Sequence, residues 1–311
     1  LRPSQIGHVD VQANFITTDH NLIERRGAIT KIHNEMIKSP SNVVVHAAKN
    51  ITFKGCTFTK FGSGGIDIEA GSQNNLIQGC HFYDIAGNGI QVGDVLTEDH
   101  HPKDNRSIVK DNHVINNLIE DCANEYHDGI GIFVGYTQGT RIANNEIRNL
   151  PYTGISLGWG WGEEELGSWP DRYYQPFYYD TPSITRDNIV ENNHLYNVMT
   201  IMHDGGAIYV LGDQPGSSVR GNHVHDNNGS PGGIYLDEGC GFVDVYNNLI
   251  YNIRDRRRPV KHHNAWPTCT IYNNISFMPP GSGRTPMEQN AINQIAQNAG
   301  LQPQHKYLLK K

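Results

Sequence analysis

Charge is scarce in this chain: only 18% of its 311 residues are Asp, Glu, Lys or Arg, and they balance at −7. A nucleic-acid binder needs a concentrated basic face, so an acidic chain of pI near 6.1 sets that class aside. No run of about 18 apolar residues occurs, so no segment is expected to span a membrane. Methionine and the other helix formers are sparse, whereas glycine, with 33 copies, is abundant. The five cysteines are too few and too scattered for a small-domain disulfide framework. Cys122, Cys240 and Cys269 lack CxxC spacing, so zinc is not expected from them and no cofactor or metal is predicted. The opening LRPSQIGHVD lacks the charged start and apolar run of a signal peptide, so the chain reads as a mature or trimmed product.

What the sequence does have is a recurring phrase. Asn117, Asn145, Asn193, Asn222, Asn248 and Asn274 each sit in a phrase such as NNLI, NNEI or GNHV, and GCTF and GCHF place Cys56 and Cys80 at the same point. Cys56 and Cys80 are 24 residues apart, and later copies recur every 26 to 29 once two long insertions are set aside. A period of this size is that of a solenoid, here with about eight or more coils. A chain of this kind grows by adding coils, which favours one elongated domain over two compact ones.

A second phrase follows each ladder position. GGIDIEAG, NGIQVGD, IGIFVGY, TGISLGW, GAIYVLG and GGIYLDEG align Ile66, Ile90, Ile132, Ile155, Ile208 and Ile234. Apolar residues return two places later, which is the alternation of a strand with one face inward. Each coil therefore contributes at least one strand to a parallel sheet. Asparagine suits the ladder because it tolerates the left-handed backbone of a tight corner and its amide can bond along the axis. The shared register position of Cys56 and Cys80 makes them buried thiols rather than a bridge.

Departures from the minimal coil locate the function. Ladder residue to strand isoleucine is 10 residues after Cys56, Cys80 and Asn145 but 15 after Asn117 and Asn193. The extra residues place His127-Asp128-Gly and His203-Asp204-Gly at the mouths of two strands, about 10 Å apart along the axis. Strand to next ladder residue is 27 after Ile90 and 38 after Ile155, against 13 or 14 elsewhere. Both insertions leave the same end of the sheet, as walls beside a binding face would. The second carries Trp159, Trp161, Trp169 and four tyrosines, whose rings suit either sugar stacking or a satellite core. Side chains one past each isoleucine, among them Asp67, Gln91, Phe133, Ser156, Tyr209 and Tyr235, should point outward. If the next coil keeps its offset, Val260 aligns with Ile234 and His263 with Asp237.

Two carboxylates facing a groove with aromatic walls suit glycoside hydrolysis, where one acid protonates the leaving oxygen and the other acts as nucleophile or base. The candidates are Asp237 and Asp204, with Glu238 third. Asp204 precedes its strand isoleucine by four residues while Asp237 follows its own by three, so the pair requires the enlarged turn to fold over the sheet. His203, Tyr209 and Tyr235 join the substrate-facing set. A calcium-dependent polysaccharide lyase would instead use the basic run from Arg254 to Lys261 with acids on adjacent coils, for which only Asp67 and Glu69 come close. A non-catalytic carbohydrate binder would need the groove and aromatics alone.

GIGIFVGYTQGTRIANNEIRNLPYTGISLGWGWG, HDGGAIYVLGDQPGSSVRGNHVHD and GGIYLDEG together resemble the right-handed parallel β-helix proteins of glycoside hydrolase family 141. That family includes α-L-fucosidases acting on pectic polysaccharide and xylanases, and the resemblance covers roughly residues 40 to 278. It implies an all-β, right-handed parallel β-helix and a retaining glycosidase for plant cell-wall glycan. It places Asp204 of DGG and Asp237 of LDEG on the family's catalytic aspartates, and His127, Trp159, Trp161 and His263 in its substrate pocket. The expected organisation is a lead-in segment or cap at 1–40, the β-helix at 41–278 with inserted loops at 93–106 and 160–187, and a tail or cap at 279–311. The expected partner is a polysaccharide or oligosaccharide, with the protein monomeric and secreted or periplasmic.

Overall fold

In the computed structural model, residues 15–17, 36–160, 181–255, 258–263, 265, 267–277 and 286–310 are described. The repeat folds as a right-handed parallel β-solenoid of about eight coils, with three parallel sheets of eight strands each. Sheet 1 contains the glycine–isoleucine strands, from Ser41–His46 through Gly64–Glu69, Ile90–Val92, Ile132–Val134, Ile155–Leu157, Ile208–Val210 and Ile234–Leu236 to Val260–His262. Sheet 2 runs from Thr52–Lys54 to Thr270–Tyr272, and sheet 3 from Thr57–Phe61 to Ile275–Phe277. Register is one-to-one as the repeat demands: Ile66 pairs with Ile90, Ile132 with Ile155, Ile208 with Ile234, and Ile234 with Val260. The six aligned isoleucines are fully buried.

The asparagine ladder runs between sheets 2 and 3 as a continuous chain of amides. The Asn117 carboxamide nitrogen donates to Asn145 Oδ1 at 3.0 Å, Asn145 to Asn193 at 2.9 Å, Asn193 to Asn222 at 3.0 Å, Asn222 to Asn248 at 2.9 Å and Asn248 to Asn274 at 2.8 Å. Each accepting oxygen also takes the backbone N–H of the ladder residue one coil earlier, and Asn117 Oδ1 takes that of Cys80 at 3.0 Å. The carboxamides of Asn117, Asn145, Asn193, Asn222 and Asn248 each both donate and accept in this chain, the condition for burying amides in an apolar core. The left-handed corner is made by a different residue. Positive φ belongs to the first member of each pair, Asn116, Asn144, Asn192, Asn247 and Asn273, with Gly55, Gly79 and Gly221 in the remaining coils. One asparagine turns the chain and the next bonds along the axis.

The outer face of sheet 1 is more enclosed than the alternation implies. Phe133, Gln91, Ser156, Tyr209 and Tyr235 do point away from the coil interior, yet all are buried. Trp159 packs edge-on against Phe133 with ring centres 6.2 Å apart, and Tyr209 stacks on Tyr235 at 5.1 Å. At the other end Lys38 lies over Asp67 at 2.6 Å. Beyond the last coil, the helix Pro286–Asn298 leads into a segment along the flank, where Gln302 bonds to Asn116, Tyr307 to the Gly79 carbonyl and Gly300 to the Asn192 carbonyl. Leu301 and Leu308 close against Leu118 there.

Candidate functional site

Asp237 immediately follows the strand Ile234–Leu236 and remains in the ladder, its backbone N–H donating to the Val210 carbonyl at 3.1 Å. Its carboxyl reaches the outer face of sheet 1, where the Tyr209 hydroxyl donates to Oδ2 and the Tyr235 hydroxyl also bonds it. Only 4% of Asp237 is exposed. Burial raises its pKa above the ordinary carboxylate value, against the two tyrosine hydroxyls and a backbone N–H that favour ionisation, and the nearby Asp204 charge raises it further. The result is a carboxyl that holds its proton to higher pH than a surface aspartate does.

Asp204 occupies the enlarged turn before Ile208–Val210 and takes a left-handed conformation, φ 64°. Its backbone is pinned on both sides: the N–H donates to the Ser230 carbonyl at 2.8 Å, and its carbonyl accepts from Tyr152 Oη at 2.8 Å. These bonds stack the turn on its neighbouring coils, and Asp204 lies near enough to Asp237 for its charge to act on that carboxyl. Tyr152 is fully buried and its pKa is pushed well up, first by burial and then by the charges of Asp204, Asp237 and Asp128. Tyr152 thus lies within the field of three acids from three coils. Its role is not visible in the phrase PYTGIS.

Glu238 lies at the margin, with Oε1 3.9 Å from His263 Nε2. His263 aligns with Asp237 as the register predicts; its N–H donates to the Leu236 carbonyl at 2.8 Å and its ring is 6.4 Å from that of Tyr235. His203 is exposed and shares a hydrogen bond of 3.2 Å with Arg254, while His127 is exposed on its own turn. Trp159 is 3% exposed, so within the described residues its ring acts as packing for the sheet face. Trp161, Trp169, Glu163, Glu164, the wall tyrosines, Arg256, Arg257 and Asn264 lie outside the described residues.

The acids that a calcium site would use are otherwise engaged. Lys38 Nζ bridges Asp67 at 2.6 Å and Asp94 at 2.8 Å, and Glu69 faces His46 at 3.0 Å. Burial pushes Asp67 up to about 6 despite the lysine. An ammonium already fills the position between the two aspartates. A cavity of about 540 Å³ lies elsewhere, between the helix Pro286–Asn298 and the asparagine corners, and contains none of the candidate acids.

These features define a class before they define a chemistry. The chain belongs to the right-handed β-helix family: the family model described as a right-handed beta helix region matches residues 7–162. Among solved structures, one titled "Glycoside hydrolase" is 28% identical with a TM-score of 0.71, covering 98% of this chain and 49% of its own. The chain thus spans about half the length of that structure. The A-module of the Azotobacter vinelandii mannuronan C-5 epimerase AlgE6 overlaps at 15% identity and TM-score 0.47, over 76% of this chain and 57% of its own. PfbA, a surface adhesin of Streptococcus pneumoniae, does so at 16% and 0.45, over 78% and 62%. No curated protein matches the sequence.

Proposed function

We propose that the chain is a glycoside hydrolase of the family 141 kind, acting on plant cell-wall polysaccharide or oligosaccharide such as xylan or a fucosylated pectic glycan. The carrying observation is Asp237, buried between two tyrosine hydroxyls and raised in pKa within the field of Asp204. Two carboxyls whose surroundings differ this much divide acid and nucleophile or base work between them. Asp237 is the general acid, giving its proton to the departing glycosidic oxygen. Asp204 acts on the anomeric carbon, directly in a retaining enzyme, and Asp237 then accepts the proton of the water that releases the sugar. Tyr209 and Tyr235 hold the acid in place, and Glu238, His263, His203 and His127 contact the glycan. A polymeric substrate of this kind places the protein outside the cell or in the periplasm. The 28% identical structure titled "Glycoside hydrolase" supports this reading.

The test is a screen of 4-nitrophenyl glycosides and xylan with the wild type, Asp237→Asn and Asp204→Asn. Loss of the acid should reduce hydrolysis of xylan by about 10² to 10⁴. It should spare much of the cleavage of a 4-nitrophenyl glycoside, whose leaving group needs no proton. Loss of Asp204 should abolish both, and the first-formed product anomer, read by proton NMR, reports retention. Equal rates in all three proteins would remove both residues from the mechanism, and oligosaccharide binding without hydrolysis would identify a non-catalytic β-helix instead.

A further inference from the structure

Away from sheet 1, on the outer face of sheet 3, three histidines meet. His194 begins the strand His194–Val198, and His223 and His225 lie on the next strand, His223–Asn227. In the register His194 pairs with His223, so His225 follows two residues on, on the same face. Each ring offers a nitrogen such that all three atoms lie within 4.8 Å of one another. His194 Nε2 and His225 Nε2 face each other at 2.8 Å.

The far sides of these rings fix what the facing nitrogens can be. His194 Nδ1 is 3.1 Å from Glu146 Oε1, and His225 Nδ1 is 2.7 Å from Asp226 Oδ2. A carboxylate only accepts, so each of those Nδ1 atoms carries its proton, and a neutral imidazole then presents a bare lone pair at Nε2. Two lone pairs cannot hold 2.8 Å apart unless something positive lies between them: a shared proton or a metal ion. The third ring, His223, stacks on His194 with ring centres 4.5 Å apart and is held from outside by Tyr251 Oη at 3.0 Å. Carboxylates behind ligating imidazoles are the usual means of orienting a zinc site. Three imidazole nitrogens plus one position left to solvent is an arrangement zinc accepts. Tetrahedral ligands on zinc are about 3.3 Å apart, so small ring rotations suffice to admit the ion.

We propose that His194, His223 and His225, backed by Glu146 and Asp226, form a binding site for a divalent transition-metal ion of the zinc class, distinct from the carboxyl pair on sheet 1. The ion fastens two successive coils. It also bears on the chain's C-terminal segment, because Gly300 packs so tightly here that a Cβ would come within 2.6 Å of Glu146 Oε2 and 3.0 Å of His194 Cβ. CxxC spacing plays no part in such a site; coil register alone assembles it.

The experiment uses the whole chain without a polyhistidine tag, stripped with EDTA and dialysed. Zinc chloride titrated calorimetrically at pH 7.5 should bind at one ion per chain with micromolar or tighter affinity, and cobalt(II) should give visible d–d absorption. The double variant His194→Gln/His225→Gln, at two partly buried positions, should weaken binding by more than about 100-fold, and Glu146→Gln by about 10-fold or more. Zinc should raise the thermal midpoint of the wild type but not of the double variant. Circular dichroism confirms that each variant is folded, and Tyr272→Phe, on sheet 2, serves as control. Absence of stoichiometric binding, or unchanged binding in the folded double variant, overturns the proposal and leaves a shared proton between the rings.

Discussion

Replacing Tyr209 by Phe removes one oxygen from the outer face of sheet 1 and leaves the ring stacked on Tyr235. Tyr209 is fully buried and Asp237 nearly so, so no bulk solvent takes over the lost bond. A hydroxyl donated to a carboxylate contributes about 1.5–3 kcal/mol in favour of the ionised form. At about 1.4 kcal/mol per pKa unit, its loss raises the Asp237 pKa by about 1–2 units. Tyr235 continues to bond the carboxyl, which favours the lower half of that range. The sign follows from the charge that is lost: the hydroxyl stabilises the anion, so its removal keeps Asp237 protonated to higher pH. For a general acid the alkaline limb of kcat/KM should therefore move upward by about 1–2 units while the acidic limb stays in place. Initial rates across pH measure this, and carbon-13 titration of labelled aspartate carboxyls measures it without any substrate. An alkaline limb that stays fixed while the Asp237 resonance shifts would show that Asp237 is not the proton donor.

Asn193→Ala should cost about 3–5 kcal/mol in denaturant unfolding, because Asn193 is fully buried and bonds the Asn145 amide and carboxamide, the Ile142 carbonyl and Asn222, all at 2.9 or 3.0 Å. Asn274→Ala at the ladder's half-buried end should cost less than half as much, and equal losses would refute the cooperative ladder. The third expectation concerns the first insertion, where burial and then the Asp94 charge push Asp99 up from 3.8 to about 7. Because the folded-state pKa lies above the unfolded one, the associated stability is complete below about pH 4 and lost as pH rises through 7. Asp99→Asn keeps an oxygen for the Leu96 N–H, now at 3.0 Å, and should flatten that fall, leaving the smaller decline from Asp67 up to about pH 6. Thermal midpoints at pH 4, 6 and 8 check this, and parallel curves for the two proteins would refute it.

The winding was legible because a repeat in sequence is a neighbour in space. Ile66 to Ile234 align as their phrases do, and Val260 falls where the offset puts it. The division of labour in the Asn-Asn pair was not legible, since either asparagine tolerates a left-handed corner; only backbone geometry assigns φ 58° to Asn116 and the amide ladder to Asn117. Alternation also misjudged exposure. It tells which face a side chain occupies, not what covers that face, and Phe133 under Trp159 or Asp67 under Lys38 depends on insertions with no period of their own. The histidine cluster lay in the phrases all along: His194 and His223 each directly follow a ladder asparagine, and HVH adds His225. A search by spacing passes over it because His194 is 29 residues from His223 in sequence and adjacent to it only in register.

Stacking in register imposes a rule on any chemistry placed in this fold. Identical side chains on successive coils sit about 4.8 Å apart, which amides exploit by donating to one another and which like charges cannot tolerate. Asn117 to Asn274 show the first case. Acids answer the second by leaving the register: Asp204 lies before its strand and Asp237 beyond the next one, close enough for the former to raise the latter's pKa but not stacked upon it. Where two acids from successive coils do approach one another out of register, as Asp67 and Asp94 do, the Lys38 ammonium stands between them. The histidines break the pattern in the opposite sense, bringing basic nitrogens together with carboxylates behind them. By the same electrostatics, a cluster of lone pairs calls for a positive centre just as a cluster of carboxylates does, and in this solenoid the two kinds of cluster occupy separate sheets.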